Sequence, residues 1–563
     1  MYKQTINYDM SILLMIFSAF VPDIVFAKPE TVLVNVDATK PGEPLQHVWQ
    51  FYGYDECNYT TTPNCIDLMK TVSQINFEPV YLRQHFLLNS GNGKAALKWG
   101  STNVYTENTQ GQPIYYWPIM DGILDAVIAS GCRPLVEIGL MPKDLSIRAD
   151  PYQPPQPFGH NEGMGVFFPP KDYGKWAELI RQWARHSKER YKNVEETWLW
   201  DLWNEPDIFY FQGSYEDYVK LFEYTEQALH EILPKAQLGG PHAANANGRF
   251  LRDFLRHCAE EKNSLTGQIG TRLDYVGFHA KGGVAFRNGQ VEMSMRGQLT
   301  KHLNGFSAVA AIPKFRNTPI IIGEADPDGA AAMPALSSPE RGYRNVPAYG
   351  SYIAAMMKYS LDLARREGVN LKGVLTWAFM FDGQPYFEGY RTLATNGVHK
   401  PVLNAFKMLG QMKGDELPLT SDGAIPLEEI LKSSVRERPD INGMAVTDGP
   451  TIKIMLWNYH DILAPAEPTP VQLRVQLPVN FANIARLVHY RIDDRHSNAY
   501  TKWLELGKPQ KPTTEMLAQL KDAMQLQMFE PAKTVDIING QVILNFEMPR
   551  SALSLIILQK PEV

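Results

Sequence analysis

The sequence predicts an α/β fold, a (β/α)₈ TIM barrel followed by a C-terminal β-sandwich domain. The first observation is an alternation. Short apolar β-type runs at 48–52, 80–86, 134–139, 197–203, 238–242, 275–279, 319–323 and 374–379 are separated by amphipathic stretches such as 172–191, 215–233 and 349–366. Eight such β-then-α units over this length are what a barrel of this kind requires. The second is what is missing: no glycine-rich phosphate loop follows the first run, as a doubly wound sheet would more often show. The third is a change of texture after Met412. Helical periodicity fades, Pro465, Pro468 and Pro470 gather, and runs at 452–457, 471–477, 541–546 and 553–558 read as sandwich strands, with one helix over 513–524. A strand at 32–36 precedes the barrel and is expected to join the sandwich. The expected organisation is 1–27 as a leader, 28–46 as the sandwich-joining strand, 47–412 as the barrel and 413–563 as the accessory domain.

The leader differs in kind from the rest. Lys3, an apolar stretch over 10–21 and the run Val25-Phe26-Ala27 have the form of a secretory signal cleaved near Ala27. The apolar stretch is short for a bilayer span, and Pro22 and Asp23 interrupt it. The mature chain is therefore expected to be exported, periplasmic or secreted, without a membrane span. The 563 residues carry a net charge of −6, which favours neither nucleic acid nor an anionic membrane as partner. Of the four cysteines, Cys57 and Cys65 are close enough to close a small loop, and buried thiols are the equal alternative. No CxxC and no Cys/His cluster has metal spacing, so neither metal nor cofactor is expected.

In a TIM barrel the chemistry sits at the C-terminal ends of the strands. The fourth run ends in Asn204-Glu205 and the seventh in Glu324, on opposite sides of one barrel mouth. The sixth carries His279 and Lys281, the second Arg83 and His85, and the eighth Trp377. Two facing carboxylates are what glycosidic cleavage needs: one protonates the leaving oxygen while the other meets the oxocarbenium-like carbon. Glu205 is expected to be the acid, its pKa raised by its setting and by a negative neighbour. Asn204 is placed to hydrogen-bond a sugar 2-hydroxyl. Plainer roles stand beside these. His85 and His279 fit structural hydrogen bonding, Trp377 fits rim packing, and Glu137 reads as a structural ion-pair partner. Asp55-Glu56 after the first run could touch substrate, although loop acids are more often solvated or capping, and His242 reads as a rim residue without a role.

These runs resemble glycoside hydrolase family 39, the β-xylosidases and α-L-iduronidases, from about residue 47 to the C-terminus. The resemblance is carried by Leu82-Arg83-Gln84-His85, by 134–142, by Trp203-Asn204-Glu205-Pro206-Asp207, by 318–327 and by the tail runs 490–493 and 496–500. It implies a retaining exo-glycosidase without cofactor, acting on an oligosaccharide or glycoside. Glu205 would be the acid/base and Glu324 the nucleophile, with subsite contacts from His85, Asn204, His279 and Trp377. On the sugar the runs divide. Glu324-Ala325-Asp326-Pro327 and His279-Ala280-Lys281-Gly282 look like the iduronidase branch, in which Lys281, Asp382 and Arg391 would lie near a uronate carboxylate. The runs 51–56 and 98–103 resemble bacterial β-xylosidases. A β-xylosidase-like specificity leads, with an α-L-iduronidase-like or α-L-arabinoside hydrolase as the alternative. Lys281 could instead bridge to Asp326 or Asp382. A non-catalytic carbohydrate-binding protein would have lost one carboxylate, and both are present. An adhesion protein would show an aromatic platform on the sandwich, where the only tryptophans are Trp457 and Trp503.

Overall fold

The computed structural model describes residues 30–153, 163–377, 379–479 and 481–561. The leader 1–27 lies outside them. Eight parallel strands close a ring: β1 (Phe51–Tyr54), β2 (Tyr81–Gln84), β3 (Arg133–Ile138), β4 (Leu199–Leu202), β5 (Gln237–Ala243), β6 (Tyr275–His279), β7 (Ile320–Glu324) and β8, which runs over Leu371–Val374 and resumes at Thr376–Trp377. The first half of β8 pairs with β7, and the second half pairs Thr376 with Tyr52 and Trp377 with Gly53 on β1, so the break in β8 is where the barrel closes. The strands are buried on both faces, as a parallel sheet sheathed in helices must be.

The helices α1 (Pro63–Ile75), α2 (Pro118–Ala129), α3 (Tyr173–Tyr191), α4 (Tyr215–Ile232), α5 (Arg249–Glu260), α6 (Met295–Ala310), α7 (Pro347–Glu367) and α8 (Pro401–Leu409) form the outer layer. Their ends are set by local chemistry. The Asp172 carboxylate accepts from the Gly174 and Lys175 N–H groups at the start of α3, and Ser214 and Asp217 form a reciprocal capping box on α4. One face of α3 buries Trp176, Leu179, Ile180 and Trp183. Helix α7 is buried on almost every side. It lies between the barrel and the sandwich, where Tyr359 donates to Asp440 Oδ2 at 2.7 Å.

The sandwich pairs a four-stranded sheet with a six-stranded one. Strand Val32–Asp37 lies parallel to Thr469–Gln476, and its Val34 and Val36 pack with Ile454, Leu473 and Leu558 between the sheets. Three long strands, Asp440–Thr447, Ile484–Ile492 and Gln527–Asp536, were not foreseen; the last is mostly exposed or half-buried and lacks an apolar stripe. Trp457 is buried with its Nε1 donating to Asp440, and Trp503 packs against Phe387 and Tyr500, so neither makes an exposed platform. All four cysteines are free and buried. No helix among the described residues is long and apolar enough to cross a membrane.

Candidate active site

A cleft of about 620 Å³ opens at the C-terminal ends of the barrel strands. Asp55, His85, Lys98, Asn204, Glu205, Tyr210, Lys281, Lys301, Glu324 and Trp377 line it, together with the segment 329–333. Glu205 stands on a left-handed backbone (φ 45°), two residues after Trp203 in the same region (φ 70°). L-residues rarely adopt that conformation, so the surroundings must hold it. They do: the Glu205 N–H donates to His242 O at 3.1 Å, Trp203 Nε1 donates to Tyr210 O at 2.8 Å, and Asp207 accepts from the Ala244 and Asn245 N–H groups at 2.7 and 3.0 Å. Glu324 is the last residue of β7, and its carbonyl accepts from the Ala280 N–H at 2.9 Å.

Glu205 and Glu324 are 5% and 4% exposed, so their charges are settled by neighbours rather than by water. One ligand atom from each carboxylate and one from His279 lie within 4.8 Å of one another. Such a trio could hold a cation, and an ammonium already does so. Lys281 Nζ lies 2.5 Å from Glu205 Oε1 and 2.8 Å from Glu324 Oε2. His279 Nδ1 adds a contact of 2.9 Å to Glu205 and one of 3.6 Å to Glu324. Burial alone would raise the Glu205 carboxyl, but Lys281 and His279 outweigh it and hold it well below the usual carboxylate range. The same competition holds Glu324 at about 2. The expectation of a raised Glu205 therefore fails in the free site, because Lys281 and His279 act directly on its carboxylate and outweigh burial. Lys281 bridges the two glutamates and neither Asp326 nor Asp382.

Beneath the cleft runs a buried polar layer. Arg83 lies 2.7 Å from Asp201 Oδ2 and 2.9 Å from Glu137 Oε2, and it donates to Asn204 Oδ1 at 3.4 Å, which pins Asn204 beside Glu205. Two acids share this one guanidinium, and burial pushes Glu137 up to about 8 and Asp201 to about 7 against its pull. Glu137 is thus the buried partner of Arg83, but burial favours its protonated form over the ion pair its sequence context suggested. It also lies 2.5 Å from His85 Nδ1. Burial drives His85 down to about 3, so the imidazole is neutral. With the proton of the pair on Glu137, His85 accepts at Nδ1 and keeps its N–H on Nε2, which faces Asp55 Oδ1 at 3.6 Å and Glu324 Oε1 at 3.7 Å. The Trp377 ring lies 4.2 Å from the His85 ring and under Arg83. Gly53 permits this, since a Cβ there would strike the Trp377 ring.

Of the residues singled out in the sequence, His85, Asn204, Glu205, Lys281, Glu324 and Trp377 line the cleft, and His279 supports it from below. Arg391 and Asp382 do not line it. Arg391 is turned inward, 3.5 Å from Asp326 Oδ2 and 3.7 Å from Asp328 Oδ1, and donates to the Trp377 and Asp328 carbonyls. Asp382 accepts from Asn64 Nδ2 at 2.8 Å. His242 is fully buried, 3.1 Å from Asp201, and is no rim residue. Asp55 and Glu56, read as more often solvated or capping than touching substrate, are 2% and 0% exposed, and Glu56 makes no side-chain cap. Lys301 was missed because it sits on α6 rather than at a strand end. It faces no carboxylate at ion-pair distance among the described residues, and burial beside Lys281 pushes it below the usual lysine range.

The family model for glycosyl hydrolases family 39 matches residues 32–536. A β-xylosidase from Geobacillus stearothermophilus is 24% identical over 541 residues, covering 91% of this chain and 93% of that protein. An α-L-iduronidase from Mus musculus is 23% identical over 536 residues, covering 90% and 78%. The crystal structure of a monomeric β-xylosidase from Caulobacter crescentus CB15 superposes with a TM-score of 0.73 at 19% identity, covering 94% of this chain and all of that one. A bacterial orthologue of human α-L-iduronidase gives a TM-score of 0.74 at 18% identity, covering 95% and 84%.

Proposed function

The chain belongs to glycosyl hydrolases family 39 and is a retaining glycoside hydrolase; from that premise we propose an exported, exo-acting β-xylosidase-type enzyme with Glu205 as acid/base and Glu324 as nucleophile. The observation that carries the assignment is the approach of the two carboxylates to within 4.8 Å. A direct attack by the second carboxylate calls for a separation of roughly 5–5.5 Å, whereas room for an intervening water calls for roughly 6.5–9.5 Å. Glu324, ionised through Lys281 and His279, attacks the anomeric carbon, and Glu205 gives its proton to the leaving oxygen. The covalent glycosyl-enzyme is then opened by a water that Glu205 deprotonates.

The free site sets one condition on this cycle. Glu205 can act as an acid only when Lys281 leaves its Oε1, because burial then raises the carboxyl against His279 alone. A leaving-group oxygen entering between Glu205 and Lys281 produces that displacement.

Pentose specificity is favoured by the placement of Arg391. Arg391 is buried and held by Asp326 and Asp328, so it does not stand free for a sugar carboxylate. Lys301, with no carboxylate at ion-pair distance among the described residues, favours the second reading, a uronate glycoside. The test is a panel of aryl β-xyloside, α-L-arabinoside and α-L-iduronide with the wild type, Glu324→Ala and Glu205→Ala. The β-xyloside is expected to be cleaved fastest. Glu324→Ala should lose at least about 10³-fold in rate, and Glu205→Ala about 10²–10⁴-fold on poor leaving groups but little on dinitrophenyl glycosides. Full activity in Glu324→Ala would sink the mechanism.

A further inference from the structure

Asp55 and Lys98 form a second charged pair in the cleft, apart from the two glutamates and Lys281. Asp55 follows β1, and Lys98 comes from the loop between β2 and α2. Lys98 Nζ lies 2.5 Å from Asp55 Oδ1, and both residues line the cleft. The pair is held rigidly. The Lys98 N–H donates to the buried Glu56 carboxylate, and Lys98 itself has a left-handed backbone (φ 61°). His85 Nε2 contacts both Asp55 Oδ1 and Glu324 Oε1, which puts Asp55 within a pyranose ring's reach of the nucleophile. The second oxygen, Asp55 Oδ2, is buried and has no hydrogen-bond partner among the described residues. A carboxylate oxygen left in that state is costly, and such an atom at a ligand cleft is completed by the ligand.

We propose that Asp55 and Lys98 bind vicinal hydroxyls of the glycone, with one sugar O–H donating to Asp55 Oδ2 and its neighbour accepting from Lys98 Nζ. The two charges cancel, so the pair selects a neutral diol rather than an ion. A hydroxyl can also serve each partner in the role that partner requires. Asn204 is assigned to the 2-hydroxyl, which leaves the 3- and 4-hydroxyls for this pair. The assignment rests on the glycosidase reading but not on xylose being the sugar.

The experiment uses whichever aryl glycoside the wild type cleaves fastest, with its 2-, 3- and 4-deoxy analogues, on the wild type, Asp55→Asn and Lys98→Met. A wrong sugar then shows in the wild-type panel, and a wrong role for Asp55 shows only in the comparison of variants. Asp55→Asn and Lys98→Met should each lower kcat/KM on the parent by about 10- to 100-fold. Those losses should persist on the 2-deoxy analogue and collapse to about 3-fold or less on the 3- or 4-deoxy one. An equal loss on every analogue would make the pair structural and overturn the assignment. So would an unchanged kcat/KM on the parent. Because the deoxy comparison is internal to each variant, a general loss of folded protein does not imitate the expected result.

Discussion

Replacing Lys281 by methionine keeps most of the side-chain volume and removes the ammonium that touches both glutamates. Two unit charges 2.8 Å apart in an effective dielectric near 20 attract by about 6 kcal/mol, a ceiling because the lysine's own burial opposes it. Measured neighbours of this kind move a carboxyl by about 1–3 pH units, and that is the movement expected here. The direction follows from which form the lysine favours. It stabilises each carboxylate, so its loss raises both groups, and burial and the facing carboxylate then push them further the same way. The limb set by the ionised nucleophile and the limb set by the protonated acid should both move to higher pH. The pair titrates as a unit, so the limbs report macroscopic values of the pair. In the wild type, the alkaline limb of kcat should lie above that of kcat/KM, because bound substrate has displaced Lys281 from Glu205. In Lys281→Met the two limbs should coincide. Full pH profiles of kcat and kcat/KM on an aryl glycoside measure all of this. An alkaline limb of kcat/KM that stays in place, or moves toward acid, would refute the reasoning.

Two further outcomes are expected. Arg83→Met leaves the buried acceptors on Asp201, Glu137, Asn204 and the Trp203 carbonyl without their donor and should lower the free energy of unfolding by about 3 kcal/mol or more in urea titration; a loss of about 1 kcal/mol or less would refute this role. Export predicts that the protein recovered from outside the cytoplasm begins at Lys28 on N-terminal sequencing; a mature chain starting at Met1 would contradict it.

Much of the fold was legible because a barrel repeats one simple demand. Each strand is buried on both faces and each helix on one, so hydrophobic spacing announces both. The readings slipped where apolarity and pairing part company. Val48 and Trp49 are buried but precede β1, which begins at Phe51 opposite Tyr81. The eighth strand starts at Leu371, earlier than its apolar run, because Lys372 is exposed and Gly373 leaves room for the Phe51 ring. The placement of the carboxylates was legible for a related reason: strand ends are visible in a sequence, and barrel chemistry occurs there. Direction was not. Arg391 stands in a stretch that could face a substrate, and only the positions of Asp326 and Asp328 show it turned inward. For Asp55 the sequence left a substrate contact and a solvated or capping acid both open, and its burial beside Lys98 favours the first.

The charges around the cleft explain why the motif of Glu205 alone understates its chemistry. A buried carboxyl has two stable conditions, protonated by desolvation or ionised by a partner, and the choice belongs to the partner. Glu137 and Asp201 share a single guanidinium between them, and burial wins. Glu205 and Glu324 also share a single cation, yet they are ionised, because Lys281 is joined there by His279. The difference between the two pairs lies in what can move. Arg83 is fully buried and bonded to Asp201, Glu137, Asn204 and the Trp203 carbonyl, so its pair is fixed. The Lys281 side chain is 16% exposed and borders the open cleft, so a substrate can displace it. On the proposed roles, Glu324 must remain a carboxylate while Glu205 must take up a proton when substrate binds. A lysine displaced from Glu205 but kept on Glu324 would meet both demands.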